Sequence, residues 1–235
     1  MSAVLITRAA PEAQETAKRV AALGFEPVLS PVLEIEAAPF VFDPAGVQAL
    51  LFTSAAGVRA FGKADLPVMT VGEATAEAAR KAGFTKVQNA DGAGEGLVAL
   101  AKTLNPNDGA LVHISGEDIA SDLVGALQGA GYDARRLIAY RARFAAALSP
   151  EATELFTKSG GGAVLFHSAR GAEAFEKLIR TAGLAGALST HTALCLSARV
   201  AESASTLDFK GIQVASAPRE HALLALLGNL RSQRA

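Results

Sequence analysis

Short apolar runs that favour β-structure alternate with alanine-rich helical stretches along almost the whole chain. The first run, residues 4–7, precedes a helix predicted over 11–23, with Pro11 near its start and Gly24 just past its end. Strands separated by helices form βαβ units and mostly parallel sheets. Further strands are predicted at residues 28–35, 50–53, 68–71, 85–88, 110–114, 134–143, 163–167, 192–196 and 212–215. Because ten strands are many for one open sheet, we expect two sheets of five in two domains.

An internal repeat supports two domains. Residues 50–61 read LLFTSAAGVRAF and residues 164–175 read VLFHSARGAEAF, so seven of the twelve positions are identical. Two more pairs of segments recur in the same order: Gly24-Phe25 with Gly131-Tyr132, and VGEATAEAA at 71–79 with LSARVAESA at 196–204. The chain is therefore predicted to be a duplicated α/β unit.

Composition removes several classes of function. The 22 basic and 23 acidic residues give a net charge of −1, whereas nucleic-acid-binding proteins carry a basic surplus. Cys195 is the only cysteine, which excludes an intramolecular disulfide and a cysteine-based zinc cluster. The four histidines lack metal-ligand spacing, so we expect no metal. With no secretory signal and no apolar run of about 18–20 residues, we expect a cytoplasmic protein without membrane spans.

Polar residues follow the predicted strands, where α/β sheets bind ligands. Ser54 and Ser168 occupy equivalent places in the repeat, and a serine there can bind a carboxylate or cap the following helix. Both interpretations stay open. His167 directly precedes Ser168. Arg8 ends the first strand and can pair with a carboxylate in bidentate fashion, although a solvated arginine is the simpler interpretation.

Two other segments and one tyrosine could carry chemistry. HISGED at 113–118 lies between a strand and a helix, and its glycine allows backbone to approach an anion. Gly92-x-Gly94-x-Gly96 lacks the spacing of a dinucleotide-binding loop and indicates a flexible loop before a helix. Tyr140 can serve as a proton donor, and the alternative is a half-buried strand tyrosine.

Taken in order, these segments resemble the uroporphyrinogen-III synthase family, over nearly the whole chain. The matching segments are VLITR at 4–8, the G-F-x-P-x-x-x-P pattern at 24–31, LLFTSAAGVRAF at 50–61, VGEATAEAARKAGF at 71–84, HISGED at 113–118, AGYDARRLIAYRAR at 130–143, VLFHSARGAEAF at 164–175 and LCLSARVAES at 194–203.

The resemblance implies an α/β fold of two similar flavodoxin-like parallel-sheet domains joined by a two-stranded β connection, with the chain crossing between domains. One domain would combine residues 1–36 with 145–235, and the other would span 39–136. The connecting strands would lie at 28–38 and 137–144. The substrate would occupy the cleft between the domains.

The resemblance also implies a reaction. Hydroxymethylbilane, a linear tetrapyrrole with eight carboxylates, would lose its terminal hydroxyl and close with inversion of ring D to uroporphyrinogen III. Loss of the hydroxyl gives an electrophilic azafulvene, and the inversion passes through a spiro intermediate. No cofactor is implied, and we expect a monomer with this small molecule as its partner.

Catalysis is expected to rest on orientation and on stabilising developing charge. Tyr140 falls on the tyrosine of the family that assists departure of the hydroxyl. Ser197 falls on a hydroxyl-bearing helix start, but Arg199 and Val200 stand where some members have threonines. The substrate-binding candidates are Arg8, Thr53, Ser54, Gly72, Ser115, Gly116, His167, Ser168, Ser197 and Arg199.

Two other functions fit duplicated α/β lobes. A two-lobed binding protein for an anionic small molecule, without catalysis, is the main alternative, but the periplasmic type would need a signal peptide. A nucleotide-using transferase would need a phosphate-binding loop, which the sequence lacks. Fold alone does not decide among them.

Overall fold

The computed structural model describes residues 3–90, 94–119, 121–158 and 160–232. Its strands are β1 (Ala3–Ile6), β2 (Glu26–Leu29), β3 (Leu33–Ala37), β4 (Val47–Phe52), β5 (Val68–Val71), β6 (Val87–Ala90), β7 (Ala110–Gly116), β8 (Ala134–Phe144), β9 (Ala163–Phe166), β10 (Thr192–Cys195) and β11 (Gly211–Val214). Its α-helices are α1 (Glu12–Ala22), α2 (Ala55–Phe61), α3 (Glu73–Lys81), α4 (Gly94–Ala101), α5 (Leu123–Gly129), α6 (Pro150–Thr157), α7 (Ala169–Thr181), α8 (Ala198–Ala204) and α9 (Glu220–Ser232). A 3₁₀ helix covers Ala185–Thr190. Gly92 of the glycine motif lies outside the described residues.

The chain divides into two compact units, one of Met1–Glu34 with Arg143–Ala235 and one of Ile35–Ala142. The first unit holds a sheet of order β11-β10-β9-β1-β2 in which every pair is parallel. Renumbered along the chain, this is the 2-1-3-4-5 order of flavodoxin-like folds. The predicted fold class is confirmed.

The second unit holds the same strand order in a permuted chain. Its sheet runs β3-β8-β7-β4-β5-β6, and the pairs from β8 to β6 are parallel. If β7 and β8 are matched to β1 and β2, then β4, β5 and β6 match β9, β10 and β11. The sequence repeat therefore coincides with a repeat of topology, and Ser54 after β4 corresponds to Ser168 after β9.

The single strand predicted at 28–35 is wrong. β2 pairs with β1, whereas β3 lies beside β8 in the other sheet. Between them, the Ser30 and Val32 amides donate to carbonyls of Ile6 and Thr7. The hydrogen bonds to the β1 end thus come from residues 30 and 32 on either side of Pro31, and the extended segment changes sheets after Val32. The sheets consequently have five and six strands.

Apolar strands buried on both faces anchor each unit. β9 and β10 are buried throughout, as expected for parallel strands covered by helices on both sides. In the first unit, α1 and α9 cover one face, and α6, α7 and α8 cover the other. In the second unit, α4 and α5 lie opposite α2 and α3. Within the described residues, no helix combines the length and apolar character needed to cross a membrane.

Candidate functional site

In each unit, the candidate residues cluster where the strand order reverses. Ligands of open α/β sheets bind outside the carboxyl ends of the strands at this switch point. It falls between β1 and β9 in the first unit, and between β7 and β4 in the second. A side chain bridges the strands at each point: Thr7 Oγ1 donates to the Leu165 carbonyl over 2.7 Å, and Thr53 Oγ1 lies 3.2 Å from His113 Nε2.

Arg8 follows β1 and is held in a polar cluster of the first unit. Its Nη1 lies 3.3 Å from Thr16 Oγ1 and 3.4 Å from Glu220 Oε1. Glu220, in the first turn of α9, also accepts hydrogen bonds from Thr16 and Arg19. Glu220 therefore fixes Arg8 beside the carboxyl end of β1.

His167 lies in the same cluster without joining its hydrogen bonds. Its Nε2 is 4.0 Å from Glu220 Oε1, and within the part of the chain that the structure describes neither ring nitrogen has a hydrogen-bond partner. Burial and, secondarily, the positive charge of Arg8 lower the pKa of His167 to about 3. The imidazole is therefore neutral near pH 7 and can offer one N–H and one lone pair.

The serine hydroxyls at the strand ends fall into two groups. Ser54 accepts from the Ala56 amide over 3.1 Å and Ser168 from the Gly171 amide over 3.0 Å, so both cap helices. A capping serine still has its own O–H to donate, which makes the cap compatible with carboxylate binding. Ser197 precedes α8 but accepts no hydrogen bond from that helix, and Arg199 in its first turn is exposed.

In the second unit, His113 supports the Thr53 hydroxyl. His113 is buried on β7, and burial followed by the charge of Arg136 lowers its pKa to about 4. Thr53 is exposed at the carboxyl end of β4. On the neighbouring strand, Gly72 precedes α3 with φ +79°, a conformation that glycine adopts readily.

Arg136 is a residue that the sequence reasoning missed. From β8, its Nε donates to Ser115 Oγ over 2.8 Å, and its Nη2 donates to the carbonyls of Gly116 over 2.6 Å and Glu117 over 2.5 Å. The sequence offers one weak signal, two adjacent arginines at the start of a predicted strand. Which residues lie alongside depends on the register between strands, which residue order alone does not reveal.

A register shift directs Tyr140 toward α2. β7 and β8 pair His113 with Arg136 and Ser115 with Ile138, but Gly116 pairs with Tyr140, so Ala139 is an extra residue. Successive side chains of a strand alternate between faces, and one extra residue moves those beyond it to the other face. The half-buried Tyr140 ring consequently lies against Gly116 and Gly57.

The structure thus groups the candidates within each unit. Arg8, His167 and Ser168 follow adjacent strands of the first unit, with Ser197 and Arg199 after the next strand. Thr53, Ser54, Ser115, Gly116 and Tyr140 surround the β4–β7 switch point of the second unit, with Gly72 after β5. Within the described residues, no group of histidine, cysteine and acidic side chains has metal-binding geometry, and Cys195 is buried.

A family model described as uroporphyrinogen-III synthase HemD matches residues 14–225. The fold is similar to that of uroporphyrinogen-III synthetase from Helicobacter pylori 26695, with TM-score 0.68, 19% identity, and coverage of 98% of this chain and 100% of that one. A mutant uroporphyrinogen III synthase from the extremely thermophilic bacterium Thermus thermophilus gives TM-score 0.56 and 20% identity, with 100% of both chains covered. No curated protein sequence matches the chain.

Proposed function

The chain belongs to the uroporphyrinogen-III synthase family, and we propose that it binds the carboxylates of hydroxymethylbilane at the two switch points. The family consists of lyases that cyclise hydroxymethylbilane, so the chain is an enzyme that converts this linear tetrapyrrole to uroporphyrinogen III with loss of water. The alternative of an anionic-ligand-binding protein without catalysis is not favoured.

The observation that carries the proposal is the repeated set of polar groups at the switch points. Each point has a capping serine and a polar residue before it on the same strand end, His167 in one unit and Thr53 in the other. On the neighbouring strand, Arg8 adds a charged donor in the first unit, whereas Ser115 in the second unit is buried and gives its O–H to the Gly116 carbonyl. Hydroxyl and backbone donors bind carboxylates without requiring a net positive charge, which agrees with the chain's net charge of −1.

Neutral histidines fit such a site. His113 and His167 have pKa values of about 4 and about 3. Both imidazoles are therefore uncharged near neutral pH, so neither binds a carboxylate through charge. Orientation would then come from hydrogen bonds of defined geometry, which suits a reaction whose outcome depends on how the linear substrate is folded.

We assign Tyr140 the role of proton donor to the departing hydroxyl. The phenol O–H would give its proton to the hydroxyl oxygen as the carbon–oxygen bond breaks, and water would leave. The electron pair of the pyrrole nitrogen would form the azafulvene. The proton lost when the macrocycle closes would restore the phenol, so the cycle balances without a cofactor.

The remaining assignments are narrower proposals. Gly72, Ser197 and Arg199 would contact substrate carboxylates that lie farther from the switch points, because these residues follow β5 and β10, the strands beside each switch point.

The domain boundaries would be 1–36 with 145–235, and 39–136. The enzyme would act as a monomer in the cytoplasm and bind no nucleic acid, and sedimentation of the purified protein tests the monomer.

The test of the proposed function is a coupled assay. Hydroxymethylbilane is generated in situ, the purified protein is added, and the oxidised uroporphyrin isomers are separated. Because closure without inversion proceeds without enzyme and gives type I, active protein should shift the product to type III. Folded protein that leaves only type I would contradict the function.

A further inference from the structure

The last two residues of β7 and Glu117, called the 115–117 turn below, are held by two side chains of the neighbouring strand β8. Arg141 Nε lies 3.3 Å from Glu117 Oε1 in an exposed ion pair. Arg136 makes three hydrogen bonds to the turn, at 2.5 to 2.8 Å, through Nε and Nη2. We propose that Arg136 is a positioning residue, which holds Gly116 against the Tyr140 ring and thereby fixes the direction of the Tyr140 hydroxyl. This inference rests on the proposed role of Tyr140.

The geometry of these bonds requires a guanidinium. Nε and Nη2 lie on one edge of a rigid planar group, and together they reach a hydroxyl and two successive carbonyls. Hydrogen bonds from a charged donor are stronger than neutral ones. A lysine would keep the charge but has a single nitrogen on a flexible stem, and so cannot reproduce the fork.

The same turn is joined to Tyr140 in two ways. The Glu117 amide donates to the Tyr140 carbonyl over 2.9 Å, which fixes the backbone of Tyr140. A Cβ placed on Gly116 would lie 2.7 Å from Tyr140 Cε2, so the ring packs directly on the glycine backbone. A shift of the turn would therefore move both the backbone and the ring of Tyr140.

The other side of the ring is supported by α2. A Cβ on Gly57 would lie 3.7 Å from Tyr140 Cε1, an ordinary van der Waals distance. The ring is thus held between two glycines, of which only Gly116 lies in the turn that Arg136 binds. Loss of the Arg136 hydrogen bonds should therefore loosen the contact of the ring with Gly116 and leave its contact with Gly57 intact.

The kinetic test compares Arg136→Gln and Arg136→Lys with Arg135→Gln. Arg135 is the matched control, because the hydrogen bonds of this adjacent arginine go to Asp133 rather than to the turn. Both Arg136 variants should lower kcat about tenfold and leave KM within about twofold. A misdirected Tyr140 hydroxyl slows proton transfer to the leaving hydroxyl but does not weaken substrate binding. The Arg136→Gln effect should vanish in a Tyr140→Phe background, as expected for coupled residues.

A spectroscopic test does not depend on activity. The chain has two tyrosines and no tryptophan, so tyrosine labelled with ¹³C at the ε carbons gives two sets of NMR signals, and Tyr140→Phe identifies one of them. Arg136→Gln should shift the Tyr140 signals or merge its ε positions through faster ring rotation. The Tyr132 signals should stay unchanged in this variant, and both sets should stay unchanged in Arg135→Gln.

The two tests separate the possible failures. Unchanged Tyr140 signals in both folded Arg136 variants would overturn the positioning role. Shifted Tyr140 signals in a protein whose Tyr140→Phe variant is fully active would support the positioning role and refute the proposed function of Tyr140. If Arg136→Gln does not fold, Arg136→Lys carries the same comparison.

Discussion

The Tyr140 ring packs on the backbone of Gly116 so closely that a methyl group there would lie 2.7 Å from Tyr140 Cε2 and 3.1 Å from its hydroxyl oxygen. Real Cβ atoms do not approach other atoms to 2.7 Å, so the ring or the turn must move if any side chain is present. The absence of a Cβ at Gly116 is therefore a condition for the observed direction of the hydroxyl.

Gly116→Ala should lower kcat by about as much as removal of the Tyr140 hydroxyl, because it displaces the ring that carries it. The measurement is steady-state formation of type III product. Gly129→Ala is the matched control, since a Cβ at that helical glycine meets nothing within 4 Å, and alanine there should stabilise α5 by up to about 1 kcal/mol. Equal activity of the two variants would contradict the packing argument.

Tyr140→Phe should lower kcat roughly 10- to 100-fold without abolishing turnover, since general acid catalysis contributes only part of the acceleration. Tyr132→Phe is the control: it removes a hydroxyl that donates to the Leu104 carbonyl over 2.9 Å, on the other core face of the same unit. An unchanged rate for Tyr140→Phe would remove this residue from the mechanism.

Glu220→Gln should lower the free energy of unfolding by about 1–3 kcal/mol, because the carboxylate accepts from Arg8, Arg19 and Thr16 in a partly buried cluster. Urea denaturation measures the change. Glu15→Gln removes an exposed pair with Lys18 and should cost less than about 1 kcal/mol. Indistinguishable losses in the two variants would show that Glu220 does not organise the cluster.

Stability should fall as the pH is lowered below neutrality, partly because of His167. Its pKa in the folded chain, about 3, lies below the ordinary 6.5, so between these values the unfolded chain binds a proton that the folded chain does not. From pH 7 to pH 5 the free energy of unfolding should therefore drop by about 2 kcal/mol on account of this group.

His167→Phe tests that assignment, because phenylalanine cannot be protonated. The variant should lose less stability than the wild type between pH 7 and pH 5, as measured by urea denaturation at both values. His221→Gln, a change at an exposed histidine, is the control. A pH dependence that is the same in His167→Phe and in the wild type would mean that His167 is not the group responsible.

The sequence carries the information for topology more clearly than for the site. The alternation of strands and helices and the repeat around Ser54 and Ser168 predict the fold class, because both patterns depend only on residues that are neighbours in the sequence. The change of sheet after Val32 was missed because the whole run from 28 to 35 is extended, and only the strand pairing shows that it changes sheets. Arg136 and the shift that turns Tyr140 toward α2 were missed because both arise from the alignment of β7 with β8.

We propose that substrate carboxylates bind at the carboxyl ends of β1 and β9 and of β7 and β4. A crystal structure of the protein with uroporphyrinogen III bound tests it most directly. We expect acetate or propionate carboxylates within hydrogen-bond distance of Ser54 and Ser168. Density for the macrocycle with no carboxylate at either serine would contradict it.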